Sequence, residues 1–295
     1  MLAEEEKAKY IEAGRIAAAA RDAVLPKIRP GALLLDIAEE IERRISEAGA
    51  KPAFPVNIGI DEIAAHFTPQ AGDKRIIAPG DVVKIDVGAH IDGYIADMAF
   101  TVCSEKSPLV AAAEKALKAG LSMMKPGVSI SEVSGAIYDA ITSAGFGPIV
   151  NLTGHSIGRF DFHGQIPIPN TRQPWEYELK EGEVFALEPF VCESAGRVED
   201  SEPVEIYQFV RRRPVRSPEA RRILDLAEKD FGGFPFAKRW LAGNMTPLRL
   251  GVALLELERV GAIRSYPVLK DMHGRKIAQA EHTVIVAEKP LVTTE

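Results

Sequence analysis

The stretch KIDVGAHIDGYIAD, Lys84 to Asp97, has the pattern of a β-hairpin whose apolar arms each contain an acidic residue. Its centre is the dipeptide Asp92-Gly93, a strong signal for a two-residue turn. Aspartate is a poor strand former, yet Asp86 lies on one arm and Asp97 on the other. With a loop of even length, positions eleven apart on opposite arms face the same side, so we expect the two carboxylates to lie together.

Two adjacent carboxylates repel each other unless they share a proton or hold a cation. Acids that face solvent on an edge strand are the commoner explanation of such a pair. Here the flanking residues are apolar, for example Ile85, Val87 and Ile95, which places the hairpin in a core. The sequence therefore favours a metal ion between Asp86 and Asp97.

The composition is that of an ordinary globular protein, with 46% hydrophobic and 26% charged residues among 295. This length suits one large domain or a domain with a smaller module. A net charge of −6 argues against general nucleic-acid binding. The acidic start has no signal-peptide pattern, and no apolar run is long enough for a membrane span, so we expect a cytoplasmic protein without membrane association.

Helical and strand-like segments alternate along the chain, which predicts an α+β or α/β class. Helical periodicity covers Glu4–Val24, Asp36–Ala48, Leu109–Met124 and Glu132–Ala144. Strand-like runs cover Asp81–Val87, Tyr94–Val102, Gly182–Glu188 and Gln279–Val286.

A weak internal repeat indicates two half-domains related by duplication. The segment Arg29–Asn57 resembles Lys125–Asn151, since each reads Pro-Gly, helix, Ala-Gly, Pro and Asn. The strands that follow also correspond, and in that register Asp86 falls on Glu188. A pseudo-twofold would bring these two side chains to a shared centre. We expect Glu281, which interrupts the last strand, to be the counterpart of Asp97.

A helical, winged-helix-like insertion is predicted before that last strand. Ser217-Pro218 and Thr246-Pro247 are each an N-cap followed by proline at the first helical position. The segment after the second helix has the pattern of a β-ribbon that turns near His273-Gly274. We expect a catalytic domain at 1–204, the insertion at 205–276 and a closing strand of the catalytic domain at 277–295.

His155, in the Gly-rich stretch NLTGHSIG, completes a possible dinuclear metal site. A single histidine in such a turn is more often structural. Together with four carboxylates it forms a hard, oxygen-rich ligand set that suits Mn, Fe or Co better than a thiolate zinc site. The predicted ligands are Asp86, Asp97, His155, Glu188 and Glu281.

The chain resembles the type 2 methionine aminopeptidases of the archaeal kind over nearly its whole length. The resemblance rests on KPAFPVN, EIAAHFTP, KIDVGAHIDGYIAD, NLTGHSIG, FHG, ALEPF, FAKRWL, SYPVL and AEHTVIV in this order. It implies the pita-bread fold and a hydrolase that removes the initiator methionine when the second residue is small, through a hydroxide that bridges two divalent ions (Co, Mn, Fe or Zn). The five predicted ligands all have the residue type that the family requires.

The resemblance also assigns roles around the ligands. His66 would bond the scissile amide nitrogen or move its proton, and His163 would contact the substrate carbonyl. Glu188 would accept the proton of the bridging water. The methionine pocket would be formed by Phe54, Phe162, Tyr266 and His66.

Two other functions fit parts of this pattern. Proline-specific aminopeptidases and dipeptidases share the fold and ligands but usually have an additional N-terminal domain. A metal-free binding module is the third possibility, although retention of all five ligand types argues against it. We expect a monomer that acts on nascent polypeptide N-termini. The insertion has a net charge of +7, so it could contact ribosomal RNA, carry solvated charges, or pair with the acidic catalytic domain.

Overall fold

The structure is a computed structural model that describes residues 2–295, except for the side chain of Asn244. The helices in this range are α1 (Glu4–Val24), α2 (Leu34–Glu47), α3 (Pro108–Ser122), α4 (Ile130–Ser143), α5 (Pro218–Lys229), α6 (Lys238–Leu241) and α7 (Pro247–Arg259). The strands are β1 (Lys51–Pro52), β2 (Asn57–Ile60), β3 (Ile63–Ala65), β4 (Val82–Ile91), β5 (Tyr94–Cys103), β6 (Gly147–Pro148), β7 (Thr153–Ile157), β8 (Pro167–Pro169), β9 (Val184–Leu187), β10 (Phe190–Cys192), β11 (Val198–Phe209), β12 (Phe236–Ala237), β13 (Ile263–Asp271), β14 (Ile277–Gln279), β15 (His282–Ile285) and β16 (Leu291–Val292).

The central hairpin forms as the sequence predicts. Strands β4 and β5 pair antiparallel, and their two-residue loop is Asp92-Gly93, with φ of 52° and 88°. Both values are positive, as a type I′ turn requires. Asp97 pairs with Gly88, two positions from Asp86, so the two carboxylates lie on one face of the hairpin.

The two halves of the molecule each pack a pair of helices against a sheet. Helices α1 and α2 cover the sheet of β1, β2, β4 and β5, where Ile41 of α2 and Ile85 of β4 belong to one buried cluster. Helices α3 and α4 cover the second half, where Ile137 and Phe185 are buried together. The α+β class is confirmed, and these four helices begin and end within two residues of their predicted positions.

The strand register confirms the predicted duplication. In the first half Gly59 pairs with Lys84. Positions 96 and 102 residues further on, His155 and Ala186, pair in the second half. Helices α2 and α4 are also 96 residues apart at both ends. Strand β2 and helix α2 thus recur 96 residues later and strand β4 recurs 102 residues later, so the two halves repeat each other, as the predicted pseudo-twofold requires.

The halves meet along β5 and the residues around the start of β15. The Ala99 N–H donates to the Glu281 carbonyl at 3.3 Å, and the Glu281 N–H donates to the Ala99 carbonyl at 2.8 Å. Beside this pair the Thr283 hydroxyl accepts from the Asp97 N–H at 2.7 Å and donates to its carbonyl at 2.8 Å. Two predicted ligands, one from each half, are thereby fixed next to each other.

These contacts correct one prediction, namely that Glu281 is the counterpart of Asp97. The Thr101 hydroxyl bonds both backbone groups of Gln279, at 2.6 and 2.9 Å, just as Thr283 bonds those of Asp97. The symmetry therefore equates Gln279 with Asp97, and Glu281 with Ala99. The sequence comparison missed this because the acidic residue stands two positions later in the second half.

The insertion helices begin at the predicted N-caps. The Ser217 hydroxyl accepts from the Ala220 N–H at 3.1 Å, and the Thr246 hydroxyl accepts from the Arg249 N–H at 3.4 Å. Apolar faces of α5 and α7 pack into a separate buried cluster with β11, β12 and β13. That cluster includes Ile223, Leu224, Phe236, Leu254 and Leu257.

The predicted β-ribbon after α7 is wrong. The chain does turn near Gly274, whose N–H donates to the Asp271 carbonyl. However, β13 pairs with β11 and β3, whereas β14 pairs with β10 in the second half. A turn signal is local, while the partner of a strand is chosen by the whole fold. Strand β11 begins at Val198 and so crosses the predicted boundary at 204/205; the domain division stays a prediction.

None of the helices within residues 2–295 is long and apolar enough to cross a membrane.

Candidate active site

Four acidic side chains from both halves converge on one cavity of about 410 Å³. Asp86 lies on β4 and Asp97 on β5, while Glu188 directly follows β9 and Glu281 directly precedes β15. Asp97 and Glu281 are each 2% exposed, and the other two are half-buried against the cavity. The structure therefore brings together the two hairpin aspartates and the two later glutamates, which are the four carboxylates that the sequence predicts for one metal site.

His155 on β7 faces these carboxylates with an unprotonated nitrogen. Its Nε2 lies 3.8 Å from Asp97 Oδ2 and 3.6 Å from Glu188 Oε1, too far for good hydrogen bonds. Its Nδ1 lies 3.3 Å from the Ser156 carbonyl, which can only accept, so we assign the proton to Nδ1. Burial lowers the pKa of His155 to about 4, and the ring is neutral. A lone pair that points at carboxylate oxygens leaves a place for a cation.

The electrostatics of the cluster are those of crowded, buried acids. Burial raises the pKa of Asp86 to about 7, although hydrogen bonds from Asn57 and Gln279 lower it. Burial and the charges of neighbouring carboxylates raise three further pKa values well above their usual range. These belong to Asp97, Glu188 and Glu281. Without a cation the cluster retains protons near neutral pH.

Polar residues behind the carboxylates were not singled out from the sequence. Asn57 pairs with Asp86 across β2 and β4. Gln279 Nε2 donates to Glu281 Oε2 at 3.2 Å, and Asn170 Nδ2 donates to the Glu188 carbonyl at 3.2 Å. Gln279 could have been found, because residues two apart on a strand share a face. The sequence contains no comparable signal for Asn170.

His66 is held in the cavity wall by strand β13. Its φ of 63° is in the left-handed region, and its Nδ1 lies 3.1 Å from the Pro267 carbonyl. Nδ1 must therefore carry the proton, which leaves Nε2 as an acceptor. Burial lowers the pKa of His66, so the ring is neutral at physiological pH. Its ring packs edge-on against Tyr266 at 5.2 Å.

His163 lies beside the cluster but outside it. Its ring centroid is 4.5 Å from that of His155 and 4.1 Å from that of Phe162. Desolvation of the His163 ring by the surrounding protein lowers its pKa, and the nearby His155, His66 and Arg264 lower this pKa further. Its neutral ring retains one N–H that can donate to a ligand in the cavity.

The rest of the cavity wall is largely aromatic. Phe54 and Phe162 pack with ring centroids 4.8 Å apart. A Cβ at Gly88 would lie 2.2 Å from the Phe54 ring, so this glycine of the hairpin makes room for Phe54. The Tyr266 hydroxyl donates to Gln208 Oε1 at 2.6 Å. The structure thus brings all the residues predicted for a methionine pocket to the same cavity.

Comparison with known proteins agrees with this arrangement. The model of metallopeptidase family M24 matches residues 8–288. The chain is 48% identical over 288 residues to the methionine aminopeptidase of Thermococcus onnurineus (strain NA1), covering 97% of this chain and 98% of the relative. The chain belongs to metallopeptidase family M24, among the archaeal methionine aminopeptidases.

Solved structures show the fold. A thermophilic Arx1 superposes with a TM-score of 0.85 at 19% identity, covering 99% of this chain and 91% of the other. The methionine aminopeptidase of Thermotoga maritima gives 0.70 at 23% identity, covering 99% and 98%. Both overlaps span nearly the whole chain, and the pita-bread fold of the M24 family is confirmed.

The residues present fit the metal that an M24 enzyme requires. Among residues 2–295, the buried Oδ1 atoms of Asp86 and Asp97 have no hydrogen-bond partner. One ligand atom from each of Asp97, His155 and Glu281 lies within 4.8 Å of the others. Unpaired oxygens, mutually repelling carboxylates and an imidazole lone pair are all features that a bound divalent cation would stabilise.

Proposed function

We propose that this chain cleaves the peptide bond after an N-terminal methionine of proteins, with a small second residue preferred. The convergence of four carboxylates and His155 Nε2 beneath an aromatic wall carries the proposal. Family membership and the 48% identity to a methionine aminopeptidase support it. The bond to be cleaved would lie at the ligand cluster, where Asp97 and Glu281 are buried, so the second residue would be close to the metals and a small one is favoured.

The metal ligands would be Asp86, Asp97, His155, Glu188 and Glu281, holding two divalent ions (Co, Mn, Fe or Zn). When bound, such ions supply positive charge, polarise the scissile carbonyl and lower the pKa of water. The aromatic wall would hold the methionine side chain, because a flexible thioether makes favourable contacts with aromatic rings. Phe54, Phe162 and Tyr266 form this wall.

The histidines and Glu188 would handle the polar atoms of the substrate. His66 accepts a hydrogen bond from the scissile N–H through Nε2, which fixes the peptide plane. His163 donates its N–H to the carbonyl oxygen, where negative charge develops. The water oxygen bonds to the carbonyl carbon, and Glu188 takes a proton from this water. The carbon–nitrogen bond then breaks and that proton moves to the leaving nitrogen.

Peptide hydrolysis by metal-depleted protein, titrated with Mn²⁺, Fe²⁺, Co²⁺ or Zn²⁺, tests this function. We expect Met-Ala-Ser to be cleaved faster than Met-Leu-Ser, and Ala-Pro-Ser to remain intact. Glu188→Gln should abolish turnover, whereas Glu181→Gln, an exposed residue seven positions away, should not. Cleavage of Ala-Pro-Ser in preference to Met-Ala-Ser would contradict the proposal.

The cytoplasmic ribosome is the proposed site of action, since nascent chains emerge there. The insertion would contact ribosomal RNA phosphates through its exposed arginines. Residues 205–276 contain 15 basic and eight acidic residues, a net charge of +7. Since the whole chain has a net charge of −6, the rest of the chain has a net charge of −13. This asymmetry favours a polyanionic partner.

A further inference from the structure

Lys84 has a buried side chain that no step of the proposed mechanism uses. It is 1% exposed and belongs to β4, two positions before Asp86 and on the same face of the strand. It does not line the active-site cavity. Lysine is rarely buried unless its head group is fully bonded, so the contacts of this head group indicate its role.

Among the residues that the structure describes, the Lys84 head group bonds only to the backbone. Its Nζ donates to the carbonyl oxygens of Asp61 and Ile277, both at 2.9 Å, and lies 3.5 Å from that of Val82. These oxygens belong to three separate segments of the chain. Convergent backbone carbonyls are a ligand set that proteins use to bind small cations. Here the lysine nitrogen occupies that position.

Each of the three segments leads to a residue of the active site. Asp61 lies in the turn between β2 and β3, Val82 begins β4, and Ile277 begins β14. Four or five positions after these carbonyls stand His66, Asp86 and Glu281. One nitrogen atom therefore ties together the backbones that place a substrate-binding residue and two ligands from different halves.

The strand register shows how the fold accommodates this side chain. Lys84 pairs with Gly59, and a Cβ at Gly59 would lie 3.2 Å from Lys84 Cε and 2.4 Å from the Ile63 carbonyl. The equivalent pair in the second half is His155 with Ala186. Gly59 is thus equivalent to His155. This position supplies a predicted metal ligand in the second half, whereas in the first half it makes room for the buried Lys84.

We propose that Lys84 is a positioning residue for the metal centre, whose head group fills a cation site made by the carbonyls of Asp61, Val82 and Ile277. The proposal rests on the metal-dependent function proposed above. It assigns Lys84 no contact with substrate or metal. Its effect reaches the centre only through the three backbone segments.

Binding of Co²⁺, followed by titration calorimetry and by the visible absorption of the ion, tests the proposal without any peptide. Lys84→Met keeps most of the stem but removes the donors. We expect its Co²⁺ affinity to fall by roughly 10–100-fold, the usual effect of losing an outer-shell contact, with an altered Co²⁺ spectrum. Lys276→Met is the matched control, because Lys276 bonds Asp61 Oδ1 and the Gly80 carbonyl from the surface.

Chemical rescue distinguishes positioning from general stability. In Lys84→Ala, n-propylamine can supply the missing stem and nitrogen, and we expect it to restore Co²⁺ affinity and the spectrum. n-Propanol should not, and the parent protein with each additive is the reference. Lys84→Met affinity within twofold of the parent, or an equal loss in Lys276→Met, would overturn the proposal. Failure of n-propylamine to restore Co²⁺ affinity and the Co²⁺ spectrum in Lys84→Ala, whether or not that variant is folded, would also overturn the proposal.

Because this measurement contains no peptide, it is independent of which bond the enzyme cleaves. Normal Co²⁺ binding in Lys84 variants, with methionine release intact in the parent, would refute the lysine proposal alone. Absence of methionine release in a parent that binds Co²⁺ would refute the proposed function alone.

Discussion

At the scale of single residues, His66 shows how backbone and side chain together prepare an acceptor for the substrate. Its positive φ and its bond to the Pro267 carbonyl fix both the ring and its tautomer. We expect His66→Ala to lower kcat by roughly 10²–10⁴, the usual worth of one acid/base group, because the variant loses the nitrogen that bonds the scissile N–H and can pass on the proton of the leaving group. Bound metal, measured by mass spectrometry, should be unchanged because His66 is not assigned as a ligand.

His66→Gly is the control for backbone strain, since glycine adopts a positive φ without steric strain. The two variants should lose the same activity if the ring is what matters. His273→Ala, which removes an exposed histidine, should behave as the parent. Loss of a metal ion in either His66 variant would instead mean that the roles of His66 and His155 are exchanged.

The buried carboxylates predict an unusual pH dependence for the metal-free protein. The folded-state pKa of Asp86 is about 7, against about 4 in an unfolded chain, so its contribution to stability is lost as pH rises through 7. Asp97 contributes in the same direction, because its pKa is also raised. Buried histidines such as His155 act oppositely, but their contribution is complete above about pH 6.5.

We therefore expect the Tm of protein in EDTA to fall between pH 6.5 and 8. The Tm of Asp97→Asn should fall less over this range than the Tm of the parent, and it should be the higher of the two at pH 8. The reason is that the variant lacks one of the repelling charges. Differential scanning calorimetry measures both. A metal-free parent whose Tm is flat or rises over this range would contradict the raised pKa values.

At the scale of elements, the sequence predicts what depends on neighbouring residues. Helix periodicity, the N-caps at Ser217 and Thr246 and the turn at Asp92-Gly93 are local, and all of them form. The parity of the hairpin also places Asp86 and Asp97 correctly on one face. Strand partners are not local. The turn at Gly274 therefore suggested a ribbon, although its two strands belong to different sheets.

The N-cap of α5 gives a test at this scale. Ser217 accepts from the Ala220 N–H and donates to Glu256 of α7, so it fixes the start of one helix against the other. Ser217→Ala should lower the free energy of unfolding by about 1 kcal/mol, measured by urea denaturation. Co²⁺ affinity should not change, because the metal centre lies outside this module.

Ser217→Thr is the matched variant, since threonine also caps helices. It should retain most of the stability. Equal losses in the two variants would show that the cap contributes nothing and that another feature of the side chain is responsible.

At the scale of the whole molecule, the site exists because two similar halves face each other. The repeat was sufficient to relate Asp86 to Glu188, since duplicated strands bring equivalent positions to one axis, whereas Glu281 was found because an acidic residue interrupts its strand pattern. The exact symmetry could not be predicted. Gln279, the true counterpart of Asp97, is an amide that bonds Glu281, and its equivalence to Asp97 follows from the hydrogen bonds of Thr101 and Thr283 and from the register of β10 with β14.

The structure also narrows which insertion residues could bind RNA. Several basic residues already pair within the protein: Arg212 with Asp225 and Glu228, Arg249 with Glu219, and Lys270 with Glu62. Arg211, Arg213 and Arg222 are exposed and, within residues 2–295, make no ion pair. Such arginines keep their charge available for phosphates, whereas a paired arginine must first lose its partner.

Replacing Arg211, Arg213 and Arg222 together by Gln should therefore weaken co-sedimentation with ribosomes and reduce its salt dependence, because each phosphate contact releases counterions. Hydrolysis of Met-Ala-Ser should be unchanged. Gln at Arg212, Arg249 and Lys270 removes the same charge from paired residues and should reduce binding much less. Equal binding of both triple variants and the parent at low salt would mean that the insertion carries solvated charges only. An equal loss of co-sedimentation in both variants would mean that binding depends on the net charge of the insertion and not on a defined contact surface.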